Sequence, residues 1–290
     1  MDRKLKLAVC AFRGVALADF LAFVKSNGVG HVEIATHKAG DVDVTATRNA
    51  LESADVGLAA LDAGGHELLR AQTDAEIEAA LAHVRSSIRI ARDLRCGIVV
   101  ARLGHRPRLD TLTAIRQARD LLVRCLDDAE AHGVTIVVEN RFDWRSEDPT
   151  QSAVERRAES LVALMEAVGS EHLGIHYDPA NFHIAGLEGY PMPWEMMKPW
   201  IRYVHLKDCR RYTPLLQGSR EHFRLRTDSA NGSFQSVPNG AGALNSAAIL
   251  AALRDAGYDG FVSLEPHELP HKDRWLIEES LRYIRSTGVA

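Results

Sequence analysis

The chain has 290 residues, 46% of them hydrophobic, and sets 35 Lys and Arg against 39 Asp and Glu for a formal net charge of −4. That apolar content excludes a wholly disordered chain. The mild acidity argues against non-specific nucleic-acid binding, which needs a strong positive field, and no apolar run approaches the ~20 residues of a membrane span. The N-terminus, Met1-Asp2-Arg3-Lys4-Leu5, runs straight into an apolar segment without a signal-peptide pattern, and Cys10, Cys96, Cys125 and Cys209 lie far apart without CxxC spacing. The expectation is reduced thiols in a cytoplasmic protein.

Short apolar runs alternate with helical patterns along the chain. Leu5–Phe12 reads as a strand, Ala16–Ser26 as a helix closed by Asn27-Gly28, His31–Thr36 as a strand, Val44–Ala54 as a helix and Gly57–Ala63 as a strand. Thr73 and Glu76 have capping-box spacing, and Ile77, Leu81, Val84, Ile88 and Ala91 then recur at helical spacing with one buried stripe. Gly97–Leu103 follows as a strand, Leu109–Ala131 as a long amphipathic helix and Val134–Glu139 as a strand. Ser152–Val168 reads as a helix opened by a second capping box, Ser152 to Glu155. Then come a strand over Leu173–Asp178, a short helix around Trp194–Pro199 and a strand over Ile201–Leu206. Residues 209–244 read as a long irregular stretch, followed by a helix over Asn245–Ala256, a strand over Phe261–Glu265 and a closing helix over Asp273–Ser286.

Strands such as GIVVA and TIVVE are apolar on consecutive residues, as in a parallel sheet covered on both faces. Eight strand-then-helix units in ~250 residues plus insertions is the arithmetic of a (β/α)8 barrel, here a single domain over 1–290 with an insertion after the seventh strand. A doubly wound open sheet would usually carry a Gly-rich phosphate turn after its first strand. That position instead reads Ala11-Phe12-Arg13-Gly14-Val15.

Active sites of such barrels lie at the C-terminal strand ends. Glu139 ends the fifth strand, Asp178 the sixth and Glu265 the eighth, and His205 lies in the seventh. Carboxylates at the ends of buried strands are costly unless paired or metal-bound. Three of them with a histidine make a candidate site for one divalent cation; the alternative is a set of salt bridges closing the barrel. Mostly oxygen ligands with one imidazole favour Mn²⁺ first, then Mg²⁺ or Co²⁺, and admit Zn²⁺.

The segments VVENR, HYDPANFH, YVHLKD and FVSLEPH resemble the metal-binding strand ends of the xylose isomerase-like TIM-barrel superfamily. That group includes ketose 3-epimerases, hydroxypyruvate isomerase, inosose dehydratase and the endonuclease IV group. The resemblance runs through nearly the whole chain in strand order and is strongest from 134 to 267. It implies that Glu139, Asp178, His205 and Glu265 bind one metal and that Glu139 and Glu265 also act as the acid/base pair. It implies a substrate-binding role for His183, five residues after Asp178 where the epimerases commonly use three, and for Arg211, six after His205. Where the family often has Gly-Glu-Gly, this chain has Gly240-Ala241-Gly242. The resemblance also suggests a homodimer or tetramer.

Lys207 is placed by strand alternation on the side of His205, as a further substrate-contacting group or a rim salt bridge. Glu33 reads as a hydrogen-bonded residue of the barrel interior or a second-shell base. His37, His66 and His105 follow the second, third and fourth strands, and Trp144 follows the Glu139 loop; His66, His105 and Trp144 are candidate substrate contacts. The 209–244 stretch carries Arg210, Arg211, Arg220, Arg224 and Arg226 and reads as a solvated basic loop, a substrate lid, or a subunit contact that supplies specificity for an anionic or glycosylated substrate.

The expected function is a metal-dependent isomerase or epimerase of a small keto-sugar, working through a stabilised enolate. A lyase or dehydratase on a keto-polyol, keto-acid or keto-glycoside would use the same chemistry. An endonuclease IV-like phosphodiesterase would need a multinuclear site, yet the further Asp-x-His pair is replaced by Asp228-Ser229-Ala230. A non-enzymatic, metal-containing partner subunit of a hetero-oligomer is the last alternative.

Overall fold

The computed structural model describes residues 4–36, 42–64, 67–104, 109–142 and 154–289. The parallel strands β1 (Lys6–Cys10), β2 (His31–Ala35), β3 (Gly57–Asp62), β4 (Ile98–Ala101), β5 (Thr135–Glu139), β6 (Leu173–Tyr177) and β7 (Ile201–Leu206) follow one another around a barrel. Three strands of a separate sheet come next, β8 (Asp208–Arg211), β9 (Arg226–Asp228) and β10 (Gly232–Val237), before β11 (Phe261–Leu264) closes the barrel between β7 and β1. The helices are α1 (Leu17–Ser26), α2 (Val44–Ala54), α3 (Asp74–Asp93), α4 (Thr111–Ala131), α5 (Ala158–Val168), α6 (Pro179–Ile184), α7 (Met192–Met197), α8 (Pro214–Gln217), α9 (Ser246–Asp255) and α10 (Pro270–Ser286). The eight-stranded closed barrel expected from the apolar runs is therefore present.

Local chemistry starts the helices where the chain turns off the sheet. Asp43, Asp110 and Asn245 each accept a backbone N–H in the first turn of α2, α4 and α9, and Thr73 with Glu76 completes a reciprocal capping box on α3. The helices bury their apolar stripes against the outer face of the barrel in one continuous core. Inside the barrel the side chains are small, with Ala8, Ala59, Ala60, Val100 and Val137 packed beside the fully buried Tyr203. These small residues leave room in the interior for polar groups above Tyr203.

Residues 209–244 are not irregular. β8, β10 and β9 form an antiparallel sheet in that order. Its strands, DCRR, RTD and GSFQSV, are short and largely polar, so no apolar alternation announces them. Two carboxylates anchor the insertion. Asp208 accepts the backbone N–H groups of Cys209 (2.8 Å), Gly240 (3.1 Å), Gly242 (3.0 Å) and Leu244 (3.1 Å). A Cβ on Gly242 would run into that carboxylate, so the close approach requires glycine. Asp228, fully buried, pairs with Arg156, whose guanidinium also donates to the Ala185 carbonyl at the end of α6.

The fifth helix is shorter than its sequence pattern suggests. It begins at Ala158, preceded by a 3₁₀ turn over Val154–Arg156. Ser152 lies outside the described residues, and Glu155 does not cap α5. Its buried carboxylate instead accepts the N–H groups of Leu103 (2.6 Å) and Gly104 (3.2 Å) after β4. The short turn thus ties two loops of the barrel mouth, one through each of its charged side chains.

Both ties are testable. Asp228→Asn leaves the Arg156 charge buried without its counterion and should cost about 3–5 kcal/mol in urea unfolding, with the double variant Arg156→Met/Asp228→Asn losing less than the sum of the singles. Burial pushes the Glu155 carboxyl up to about 7, against the opposing Arg141 charge and the Leu103 N–H. Between the ordinary value of 4.5 and about 7 the folded protein therefore holds more proton than the unfolded chain, so stability falls as pH rises through that window. Glu155→Gln should remove a decline of about 3 kcal/mol, read as a flatter dependence of unfolding free energy between pH 4.5 and 8.

Candidate metal and active site

The C-terminal mouth of the barrel gathers Glu139 from the end of β5, Asp178 just past β6, His205 in β7 and Glu265 just past β11. One potential ligand atom from each lies within 4.8 Å of every other. Glu139 Oε1 and Glu265 Oε2 each stand 3.4 Å from His205 Nδ1. Lys207, two residues on from His205 and facing the same way, sits 2.6 Å from Asp178 Oδ2 and also contacts Glu265.

Each member is held by its surroundings. Asp178 is the N-cap of α6 and accepts the N–H groups of Ala180 (2.9 Å) and Asn181 (3.1 Å) through one oxygen, leaving the other towards Lys207. Buried Asn140 clamps the Asp178 backbone with a pair of 2.7 Å hydrogen bonds. Asn181 donates to Glu139 Oε1 (3.2 Å) and to the Asn140 carbonyl (2.8 Å). His267 Nε2 lies 2.9 Å from Glu265 Oε1. On the floor side, His205 Nε2 is 2.7 Å from Glu33 Oε2, which also accepts the Tyr203 hydroxyl (2.8 Å) and the Cys10 thiol (3.3 Å).

The electrostatics separate the groups. Burial alone would raise the Glu139 and Glu265 carboxyls. His205 and Arg141 outweigh it at Glu139, as His267, Lys207 and His205 do at Glu265, and both stay well below the ordinary carboxylate range. Asp178 is pushed up to about 6 by burial, against the Lys207 charge and with Glu139 and Glu265 adding to the rise. Burial would lower His205, but Cys10, Glu33 and Glu265 carry it well above its ordinary value. His176, fully buried with its ring centroid 4.0 Å from that of His205, is lowered to about 3 by burial and by His205, and stays neutral.

These residues fit a divalent cation. With Glu33 engaging Nε2, neutral His205 keeps the Nδ1 lone pair, and among the described residues this buried nitrogen has no hydrogen-bond partner. Three carboxylates against one ammonium leave two negative charges, which a divalent ion balances. The same electrostatics place a second proton on the ring when no cation is there, so proton and metal compete for Nδ1.

The other expected site residues fall elsewhere. His183 and Arg211 line a cavity of about 500 Å³ with Asn231, Phe234 and Gly242, and none of the four clustered residues lines it. There the His183 ring packs edge-on to Phe234, and the Arg211 guanidinium lies over the same ring and donates to Asn231 (2.7 Å). His37, His66, His105 and Trp144 lie outside the described residues. Asn181 and His267 were not singled out in the sequence. The signal for Asn181 is its place three residues after an N-cap aspartate, one turn along α6. For His267 it is the offset of two from Glu265.

The xylose isomerase-like TIM-barrel family matches residues 21–287 of the chain. No curated protein sequence matches it. Among solved structures, a D-allulose 3-epimerase from Methylomonas sp. aligns with a TM-score of 0.74 at 17% identity over 98% of both chains. The IolI protein with a bound zinc atom aligns at 0.72 with 19% identity, over 98% of this chain and 97% of that one. A probable 3-DHS dehydratase, AsbF from Bacillus anthracis, aligns at 0.68 with 15% identity, over 97% and 99%. At these identities the structural likeness speaks for the fold. The family match, which spans all but the first barrel strand, shows that the chain belongs to the xylose isomerase-like TIM-barrel family.

Proposed function

We propose that the chain is a divalent-metal-dependent enzyme that moves a proton on the carbon next to a carbonyl of a small sugar-like substrate, as an isomerase or epimerase. The observation that carries this reading is the pair Glu139 and Glu265, each 3.4 Å from a buried His205 nitrogen that has no hydrogen-bond partner among the described residues. The relatives named for sugar epimerisation and for dehydration support the same class of chemistry. A cation held by Glu139, Asp178, His205 and Glu265, with Mn²⁺ the preferred ion for this oxygen-rich set, would stabilise the negative charge of an enolate.

The protein groups divide the remaining work. Glu139 and Glu265 come from strands separated by β6 and β7 around the ring, so they can flank a substrate between them. Both are ionised at neutral pH, ready for one to take the proton and the other, once protonated, to return one. Asn181 fixes the Glu139 carboxylate, and His267 fixes Glu265. The Lys207 ammonium partly balances the carboxylates and lies beside Glu265, where it can protonate a departing hydroxyl. That placement favours dehydration by the same site as the second reading.

Glu139→Gln and Glu265→Gln should each slow exchange of the substrate α-proton with heavy water by ~10²–10⁴-fold, followed by NMR. Near-normal exchange in both would overturn the acid/base assignment. Purified, unchelated protein should carry about one divalent ion per chain by elemental analysis, lost in His205→Ala. Its affinity should weaken as pH is lowered, because the proton returning to His205 displaces the ion.

A further inference from the structure

Loops at the barrel mouth bring several arginines above the carboxylate cluster. Arg13 follows β1, Arg102 follows β4, Arg141 follows β5, and Arg224 and Arg226 come from the insertion after β7. Arg102 is paired with Asp62. Arg210 and Arg211 point their donors at Gln235 and Asn231. Arg226 differs from these. Its Nε is buried without a hydrogen-bond partner, and no ion pair of its guanidinium occurs among the described residues. The carboxylate whose charge acts on it most strongly is Glu265, which is already engaged by Lys207 and His267. The other charges that reach it, from Arg224, Arg13 and Arg141, are repulsive. Asp273 and Glu268 offset Arg224, and Arg141 faces Glu139 and Glu155. The buried Nδ1 of His267, a ring that feels the Arg226 charge, also has no hydrogen-bond partner among the described residues. Burial and the like charges push Arg226 down to about 10, so it remains a cation at neutral pH.

A guanidinium whose Nε is buried without a hydrogen-bond partner, with no counterion among the described residues and like charges acting on it, is costly to the folded state. A bound anion would remove that cost, and the planar guanidinium fork matches a carboxylate or phosphate through two parallel hydrogen bonds. We propose that the substrate is an anion, a keto-sugar-like molecule whose carboxylate or phosphate is bound by Arg226, with Arg141 and Arg224 beside it and His267 Nδ1 as a further polar contact. The inference rests on the site reading above, because it places the charged group next to Glu265. It assigns Arg226 the selection of substrate, not the chemistry.

The test has two arms on the metal-loaded protein. In the first, inorganic phosphate and malonate are titrated calorimetrically at low salt into wild type, Arg226→Gln, Arg226→Lys and Arg141→Gln. Binding of one of them should weaken by about 10- to 100-fold in Arg226→Gln, the worth of a charged hydrogen-bonded contact. Arg226→Lys should recover part of it, and Arg141→Gln, which keeps Arg226, should show a smaller loss. Preference for phosphate points to a phosphorylated substrate and preference for malonate to a sugar acid. No binding to wild type, or binding indifferent to Arg226, overturns the proposal. In the second arm, α-proton exchange is compared for D-fructose, D-fructose 6-phosphate and 5-keto-D-gluconate. Faster exchange of an anionic ketose, lost in Arg226→Gln, is the expected result. Exchange of D-fructose as fast as of both anions overturns the anionic substrate while leaving the enolate chemistry standing. Arg226-dependent anion binding with no exchange on any ketose leaves the anion site standing and sinks the reaction.

Discussion

The contact between Glu33 and His205 is the constraint around which the mouth of this barrel is arranged. Glu33 collects three donors, from Cys10, Tyr203 and His205, on one buried oxygen. With Nε2 committed to that carboxylate, the imidazole turns its other nitrogen towards Glu139 and Glu265. Second-shell carboxylates of this kind orient a ligating ring and raise its basicity. The small alanine and valine side chains of the interior make room for the arrangement, and the Tyr203 hydroxyl keeps Glu33 from facing an empty apolar wall. Packing and site chemistry are therefore set by the same few positions.

The inserted sheet is bound to the barrel by the buried Arg156–Asp228 pair and by a small apolar cluster in which Cys209 and Phe234 meet Ala180 and Ile184 of α6. Asp208 gathers four backbone N–H groups and thereby shapes the turn through Gly240 and Gly242. Asp228, the one aspartate of the insertion, is engaged with Arg156. The insertion thus acts as a braced platform that carries Arg226 on its edge strand β9.

How much of this was readable in the sequence follows from the kind of signal each part emits. Buried parallel strands such as TIVVE are visible because both faces are apolar, and a carboxylate at the end of such a run stands out by contrast. Glu139, Asp178, His205 and Glu265 could be picked for that reason, and the structure brings them together. The sheet formed by β8, β9 and β10 emits no such contrast, since DCRR and RTD look like loop. Glu155 has the spacing of a helix cap, but its partners lie across space at Leu103 and Gly104. Asn181 and His183 sit two residues apart on one short helix, and only the helical turn decides which of them reaches Glu139.

Tyr203, His205 and Lys207 descend as a column from a single strand, β7 and its first following residue. Side chains alternate along a strand, so a one-residue slip would replace the column with Val204, Leu206 and a solvent-side neighbour. The gene segment encoding Ile201 to Lys207 can therefore change its letters but not its length. The stretch from Tyr212 to Phe223, which the two aspartates bracket without entering, can drift in length without disturbing either anchor. Across descendants of this sequence, insertions and deletions should accumulate in the second stretch and stop at the edge of the first.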